Sequence, residues 1–462
     1  MNSDKVKKTI LGLSVIFAMA LFVCLYIINL SMEGMDSKNE QAPKTEAVMA
    51  THNNYQLKEN KNIYNRYKPS EFSGIYINVF STKDEDGKVY DFSDFDLIAD
   101  WKKDFNPLLN ANVQFANRDR QPKGYPMNIP NASIRVRGNP GASLKSYRIK
   151  FMEGIEGFNE QSSLNLNKHL NDPSRIANKL AHDLIINLKN ISGFRTNFLE
   201  VFIKDDSIKE VETDFQSYGL FTHIEQPNKT YLKSRGLDEN GSIYKAEDFY
   251  FQLAPQLKNV DDADYDKQSF ESVLSIREGK DHSKLIKMLK DINDESKDFE
   301  KVFHTYFNED NYLTWLSTNI LLGNADAMSE GFLMYNPSNS SVFYLLSWDF
   351  DCIFNWMYEE SDMPNIYDGL NNVVLHRRYL QKDGNIEKVK ERIEELKNNE
   401  FSSDKVKSLI KQYKPILLEM MDQYPDNILS TISLNEQMAY LGKIDERILI
   451  NYHEFMEQYD LK

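Results

Sequence analysis

Three aspartates stand in a spacing that suits phosphoryl transfer. Asp326 lies in Asn324-Ala325-Asp326, and Asp349 and Asp351 lie in Trp348-Asp349-Phe350-Asp351. Between them run two strand-like segments, Phe332–Asn336 and 342–347, joined by a Pro-Ser-Asn-Ser turn. A hairpin of this kind brings its entry and exit together, so three carboxylates face one small volume. Phosphoryl transfer uses one such acid beside the attacking hydroxyl and another on a metal ion. Acids that merely cap strand ends or sit solvated have the same spacing, and a short motif does not separate the two readings.

The elements around this stretch must position it. Tyr312, Trp315, Leu316, Asn319 and Ile320 recur at steps of three and four, which predicts a helix with one apolar face. Asn308 or Asp310 caps its start and Gly323 ends it. Further upstream, 132–151 reads as a second hairpin. Ile134 and Val136 alternate with Arg135 and Arg137, Gly138-Asn139-Pro140-Gly141 makes the turn, and 144–151 forms the return strand. On that strand Lys145, Tyr147 and Ile149 share one face, and Ser146, Arg148 and Lys150 the other. The basic residues either clamp phosphates or form a solvated sheet face. Gly138 and Gly141 do not make a GxGxxG cradle.

The stretch 172–188 predicts a helix capped by Asp172 with Pro173 at its first position. Strands follow at 198–204 and 218–225, the second ending in Glu225. His182 and His223 have no second ligand at metal-binding spacing. Helices are expected at 269–279, 281–295, 298–322, 382–398, 403–421 and 434–458, with the aspartate hairpin alone among them.

Composition narrows the function. The 462 residues carry a net charge of −15, which excludes general nucleic-acid binding, since phosphate contacts need a basic surface. The two cysteines, Cys24 and Cys352, form neither a disulfide framework nor a CxxC zinc site. Thr9 to Leu30 carries no charge and is long enough to cross a hydrocarbon core of about 30 Å. Lys5, Lys7 and Lys8 precede it, so it reads as an uncleaved signal anchor that leaves the bulk of a single-pass protein outside the cytoplasm. A cleaved signal peptide is the competing reading. The expected domains are a tail at 1–8, a transmembrane helix at 9–30 and a flexible tether at 31–67. A strand-rich N-lobe at 68–265 and a helical C-lobe at 266–462 follow. The fold class is α+β.

Six segments carry a family resemblance: IRVRGNPGASLKSYRIKF, DPSRIANKLAHDL, YGLFTHIEQPNKTYLKSR, SIYKA, YLTWLSTNILLGNADA and LLSWDFDCIF. In matching order, they resemble the spore coat protein H (CotH) kinase family over roughly residues 72 to 455. That resemblance implies a two-lobed, protein-kinase-like fold that binds ATP with Mg²⁺ or Mn²⁺ and phosphorylates Ser or Thr of a coat or cell-surface protein. It implies Asp326 as the catalytic acid, Asp349 as a metal ligand and Asp351 as a second one. Lys145 and Arg148 match the nucleotide-binding strand, with Glu225 orienting one of them. Protein kinases place an Asn five residues after the catalytic Asp; here Gly331 stands there, preceded by Glu330. Either Glu330 serves as the metal ligand or the second metal site is lost. The alternative is a catalytically degenerate surface protein that binds or scaffolds.

Overall fold

The computed structural model describes residues 56–98, 105–118, 127–138, 145–155, 157–169, 172–208, 214–354 and 365–461. Thirteen strands are present among them: β1 (Phe72–Phe80), β2 (Thr82–Lys83), β3 (Val89–Tyr90), β4 (Leu109–Ala116), β5 (Ala132–Arg137), β6 (Ser146–Phe151), β7 (Ser163–Asn167), β8 (Thr196–Asp205), β9 (Gln216–Glu225), β10 (Ser242–Ala246), β11 (Leu274–Glu278), β12 (Phe332–Asn336) and β13 (Tyr344–Ser347). Seven of these close into a barrel in the order β1-β4-β5-β6-β7-β9-β8. All its pairs are antiparallel except β1 with β8, which run parallel from Phe72 opposite Phe198 to Val79 opposite Asp205. Alternation drives the closure. Ile75, Ile77, Val136, Ile149, Leu164, Leu166, Leu199 and Val201 turn inward into one apolar cluster.

A second sheet, β11-β10-β12-β13, is antiparallel throughout and is embedded in helices. Its organising element is the helix Glu309–Leu322. Asn308 accepts from the Asn311 backbone N–H at its start, and Gly323 ends it in the left-handed region at φ 67°. This helix is buried on every side from Asn311 to Leu322, rather than on one apolar face. Its polar side chains are therefore used internally. Asn311 accepts from Leu345 N at 2.7 Å and donates to Leu345 O at 3.1 Å, so it pairs with β13 as a neighbouring strand would.

The barrel is tied to the C-terminal helices through a buried charge. Asp426 is fully buried; it accepts from Leu220 N at 2.6 Å and pairs with Lys168 Nζ at 2.8 Å. Gly219 leaves room for it at φ 78°, since a Cβ there would lie 2.0 Å from the Asp426 carboxylate.

These facts correct the fold expectation. The strands of the first half form a closed barrel that takes in β8 and β9, not the N-lobe of a two-lobed kinase-like arrangement. β10 lies inside the range expected for that lobe but belongs to the second sheet, so the aspartate hairpin is half of a four-stranded sheet. Residues 269–279 divide between the helix Lys267–Glu271 and β11, and 298–322 breaks at Phe307, which bridges to Phe343. Among the described residues no helix is long and apolar enough to cross a membrane. The stretch Thr9–Leu30 lies outside the described residues, as do the rest of 1–55 and the turn residues 139–144. The end of the expected tether is packed: Leu57 is buried, Asn60 N donates to Arg235 O at 2.8 Å, and Tyr64 Oη donates to Gly193 O at 3.0 Å.

Candidate functional site

The loop after Gly323 is fixed by its own hydrogen bonds. Asn324 Nδ2 donates to Asn319 Oδ1 at 3.1 Å and to Asp349 O at 2.9 Å, so one amide holds the loop against the outgoing strand. Asp326 opens a single 3-10 turn, and its carbonyl accepts from Ser329 N and Glu330 N. Gly331 N then donates to Ala246 O at 3.0 Å, fastening the loop to the end of β10. On the other side, Asp349 N donates to Gly331 O at 2.9 Å, and Phe350 N donates to Asn178 Oδ1 at 3.1 Å. The helix Ala177–Ile185 that carries Asn178 thereby sets the height of the Trp348–Asp351 turn.

Electrostatics gathers the acids the sequence singled out. Asp349 is half-buried, with enough protein around its carboxyl that removal from water is the first cause of its raised pKa, about 7. The Asp351 charge adds to the rise, while Lys245 and Arg137 oppose it. Asp351 is more open, and its pKa is raised by burial first and then by Asp326. Glu330 is exposed and raised by the same two kinds of cause, burial and then Asp326. Burial pushes the Cys352 thiol up, and Asp351 and Asp326 push it further. Asp326, Glu330, Asp349 and Asp351 therefore act on one another as a single acidic cluster.

The opposing charge comes from the barrel. Arg137, at the end of β5, interacts with Asp349 and Asp351; burial and the neighbouring Arg277 and Arg148 lower its pKa to about 10. Arg135 and Arg148 sit directly opposite each other across β5 and β6. Like charges in that register are unfavourable, so this face carries a standing demand for an anion. Burial, Arg135 and Arg277 lower the pKa of Arg148 to about 10. Lys245, on β10, pairs with Glu247 at 2.9 Å and acts on Asp349 and Glu330.

Lys145 is buried just before β6, next to Ser146, which pairs with Arg137 at this end of the barrel. One expected residue does not arrive here. Glu225 sits at the opposite rim of the barrel, bound to Arg195 at 2.6 Å and to Arg235 at 2.6 Å. Those two guanidiniums hold its pKa down, at about 2, against the opposing effect of burial, which is the largest single influence. Residue spacing gave no sign of Arg137, Lys245 and Arg277 as a group. Alternation did place Arg135, Arg137 and Arg148 on a solvent-side face, and that was the available signal. His182 and His223 are buried aromatic neighbours, His182 against Phe350 and His223 beside Gln161.

Among the described residues no three His, Cys, Asp or Glu side chains stand close enough to hold a metal ion by themselves. The Asp349–Asp351 pair nevertheless fits Mg²⁺ or Mn²⁺. Such an ion takes one or two protein carboxylates and completes its shell with waters and phosphate oxygens. The crowding that raises Asp349 is also what a cation would relieve.

Comparison with known proteins gives the family. The profile of the family described as CotH kinase protein matches residues 134–441. The inner spore coat protein H of Bacillus subtilis (strain 168) is 24% identical over 301 residues, which is 61% of this chain and 75% of that protein. The matched span runs from Ile134 on β5 to the end of the helix Leu434–Leu441, and so includes the basic face and the acidic cluster together. The chain belongs to the CotH kinase protein family.

Proposed function

We propose that this protein is a kinase that passes the terminal phosphoryl group of ATP to a Ser or Thr hydroxyl of a protein, a spore-coat protein by analogy with its Bacillus relative. One observation carries the reading: Asp326 and the Asp349–Asp351 pair converge opposite Arg137 and the arginine face of the barrel. Phosphoryl transfer asks a protein for little beyond positioning and charge stabilisation, and those are the two things this arrangement offers.

In this reading Asp326 orients the attacking hydroxyl and accepts its proton. Asp349 and Asp351 would hold Mg²⁺ or Mn²⁺, and Glu330, beside Gly331, adds negative charge next to them. The bound ion would neutralise charge on the phosphates. Arg137 and Lys245 meet the phosphate oxygens from the opposite side. Arg148 and Lys145 lengthen the basic side, while Glu225 serves the barrel.

The second reading, a degenerate binding or scaffolding protein, draws on Gly331 at the position where protein kinases place an Asn. The full chain incubated with labelled ATP, Mg²⁺ or Mn²⁺ and a coat-protein substrate separates them. The kinase reading expects phosphate on Ser or Thr from the wild type and none from Asp349→Ala. A folded wild type that transfers nothing with either metal, and whose melting temperature ATP plus Mn²⁺ does not raise, establishes the scaffold instead.

A further inference from the structure

The rim of the barrel away from the acidic cluster holds a polar cleft. Arg137 and Ser146 pair at one end of β5 and β6, and Ala132 and Phe151 at the other. Five residue steps at about 3.3 Å put these ends roughly 17 Å apart. The cleft lies at the second end, where β1, β7 and β8 begin and β9 finishes. Its volume is about 560 Å³, and its lining shares no residue with the acidic cluster.

Three observations mark it as a built site rather than a surface dent. Asn197 lines it and is 2% exposed, yet its Oδ1 has no hydrogen-bond partner. Arg195 lines it as well, and its Nε is likewise buried and unpartnered, although its other nitrogens reach Glu225 and Asn159 O. A buried polar atom left without a partner is costly, so both atoms have capacity reserved for something. The third observation concerns the backbone. Asn159 and Glu160, consecutive in the cleft wall, both hold positive φ, 51° and 64°. Two adjacent side-chain-bearing residues in that region cost energy, and such strain gathers where a loop is held for a ligand.

The lining chooses the ligand. Arg66 and Arg195 are balanced by Glu71 and Glu160, so neither an anion nor a cation is favoured. Five asparagines, Asn60, Asn62, Asn65, Asn159 and Asn197, line the cleft; Asn60 Oδ1 also accepts from Asn62 N and Asn62 Oδ1 from Asn65 Nδ2, and the set still offers both donors and acceptors. A wall that is uncharged on balance and alternates donors with acceptors matches hydroxyl groups, which also do both. The size lies within the range of small-molecule sites. We infer that this cleft binds a neutral saccharide, held by asparagine amides at a rim of the barrel remote from the phosphoryl-transfer cluster.

The test is calorimetric titration of the full chain with maltose, cellobiose, N,N′-diacetylchitobiose and galactose, alongside inorganic phosphate and glutamate. At least one sugar should bind saturably, and phosphate and glutamate should not compete for it. Asn197→Ala should weaken that binding at least about tenfold, in keeping with loss of a buried hydrogen bond. Because Asn197 is buried, the exposed pair Asn62→Ala and Asn65→Ala serves as a second variant that leaves the barrel interior untouched and should weaken binding in the same direction. Asp349→Ala should bind the sugar as the wild type does, which keeps this result separate from the kinase assay. Absence of saturable binding to all four sugars, or binding indifferent to both asparagine variants, overturns the inference.

Discussion

Asp349 hangs from Gly331: its backbone N–H donates to the glycine carbonyl at 2.9 Å, and a Cβ at position 331 would stand 3.1 Å from the Asp349 Cβ. Gly331 also holds φ at 65°, where only glycine is comfortable. A side chain here is therefore opposed twice, by the backbone and by the acid it would press on. Gly331→Ala should cost about 1–2 kcal/mol in chemical denaturation from the left-handed backbone alone. Gly331→Asn should cost less, because Asn tolerates that region, yet both variants should lose phosphoryl transfer by displacing Asp349. A Gly331→Asn protein with transfer at the wild-type rate would mean that the close approach to Asp349 has no functional weight.

The two aspartate roles predict different kinetic signatures. Asp326→Asn should lower the transfer rate by about 10²- to 10⁴-fold, the usual contribution of a positioned acid–base group, while ATP-dependent thermal stabilisation survives. Asp349→Asn should abolish the Mn²⁺-dependent part of that stabilisation as well. Measuring turnover and thermal shift on the same preparations distinguishes them. Equal loss of metal-dependent binding in both variants would contradict the division of labour.

Glu225 belongs to the architecture. It is buried, with both oxygens on Arg195 and Arg235, and Arg235 is itself fully buried. Removing one partner of a buried pair strands the other, so Glu225→Ala should destabilise the fold by about 3–5 kcal/mol. Urea denaturation reads this directly. At a temperature where the variant remains folded, its affinity for ATP should equal that of the wild type. A selective loss of ATP affinity with unchanged stability would return Glu225 to the nucleotide site.

Acid should unfold the protein early. His182, His223 and His376 are fully buried, and burial lowers each pKa from 6.5 to about 3. Between those values the unfolded chain binds protons that the folded chain does not, so the histidine contribution falls as pH drops from 6.5 toward 3. Asp349, raised to about 7, holds a proton only in the folded state over much of that window and offsets about one of the three. Each histidine contributes a slope of up to about 1.4 kcal/mol per pH unit in that window. Glu225, held at about 2 against 4.5 for the free group, adds a loss in the same direction lower down. Melting temperatures at pH 7.5, 6.5, 5.5 and 4.5 should be level for the first pair and decline through the rest. A flat profile down to pH 4.5 would mean that these imidazoles are charged inside the fold.

Local signals in the sequence were read well where the chemistry is local. Asn308 and Gly323 bound their helix as the cap and stop residues predict, and Phe332–Asn336 is a strand over the residues its pattern gave. The hairpin between them lets the Asp326 charge act on Asp351. What failed to show was pairing at long range. Barrel closure depends on Phe72 meeting Phe198 in parallel, and no turn residue announces such a seam. Lys245 reaches the acidic cluster because β10 pairs with β12, far along the chain, opposite Leu333. β11 was hidden for another reason: Phe270, Val273 and Leu274 recur at helical spacing, but the helix stops at Glu271 and the last two enter the sheet side of the core. Lys145 and Arg148 were singled out because they share a basic strand. The pleat puts them on opposite faces, with Lys145 buried, and the guanidinium that acts on Asp349 belongs to Arg137 on the partner strand.

Asp426 bears on how the protein comes into being. Lys168 and Arg175 are buried beside the barrel, and the carboxylate they face arrives only about 250 residues later. Until that residue leaves the ribosome, the barrel would have to enclose cations with no counter-charge, and Leu220 N would lack its acceptor. The strands are made first but cannot be sealed first. Synthesis must pass Asp426 before the barrel can settle, so a chain truncated before that residue loses the barrel as well as the helices that follow.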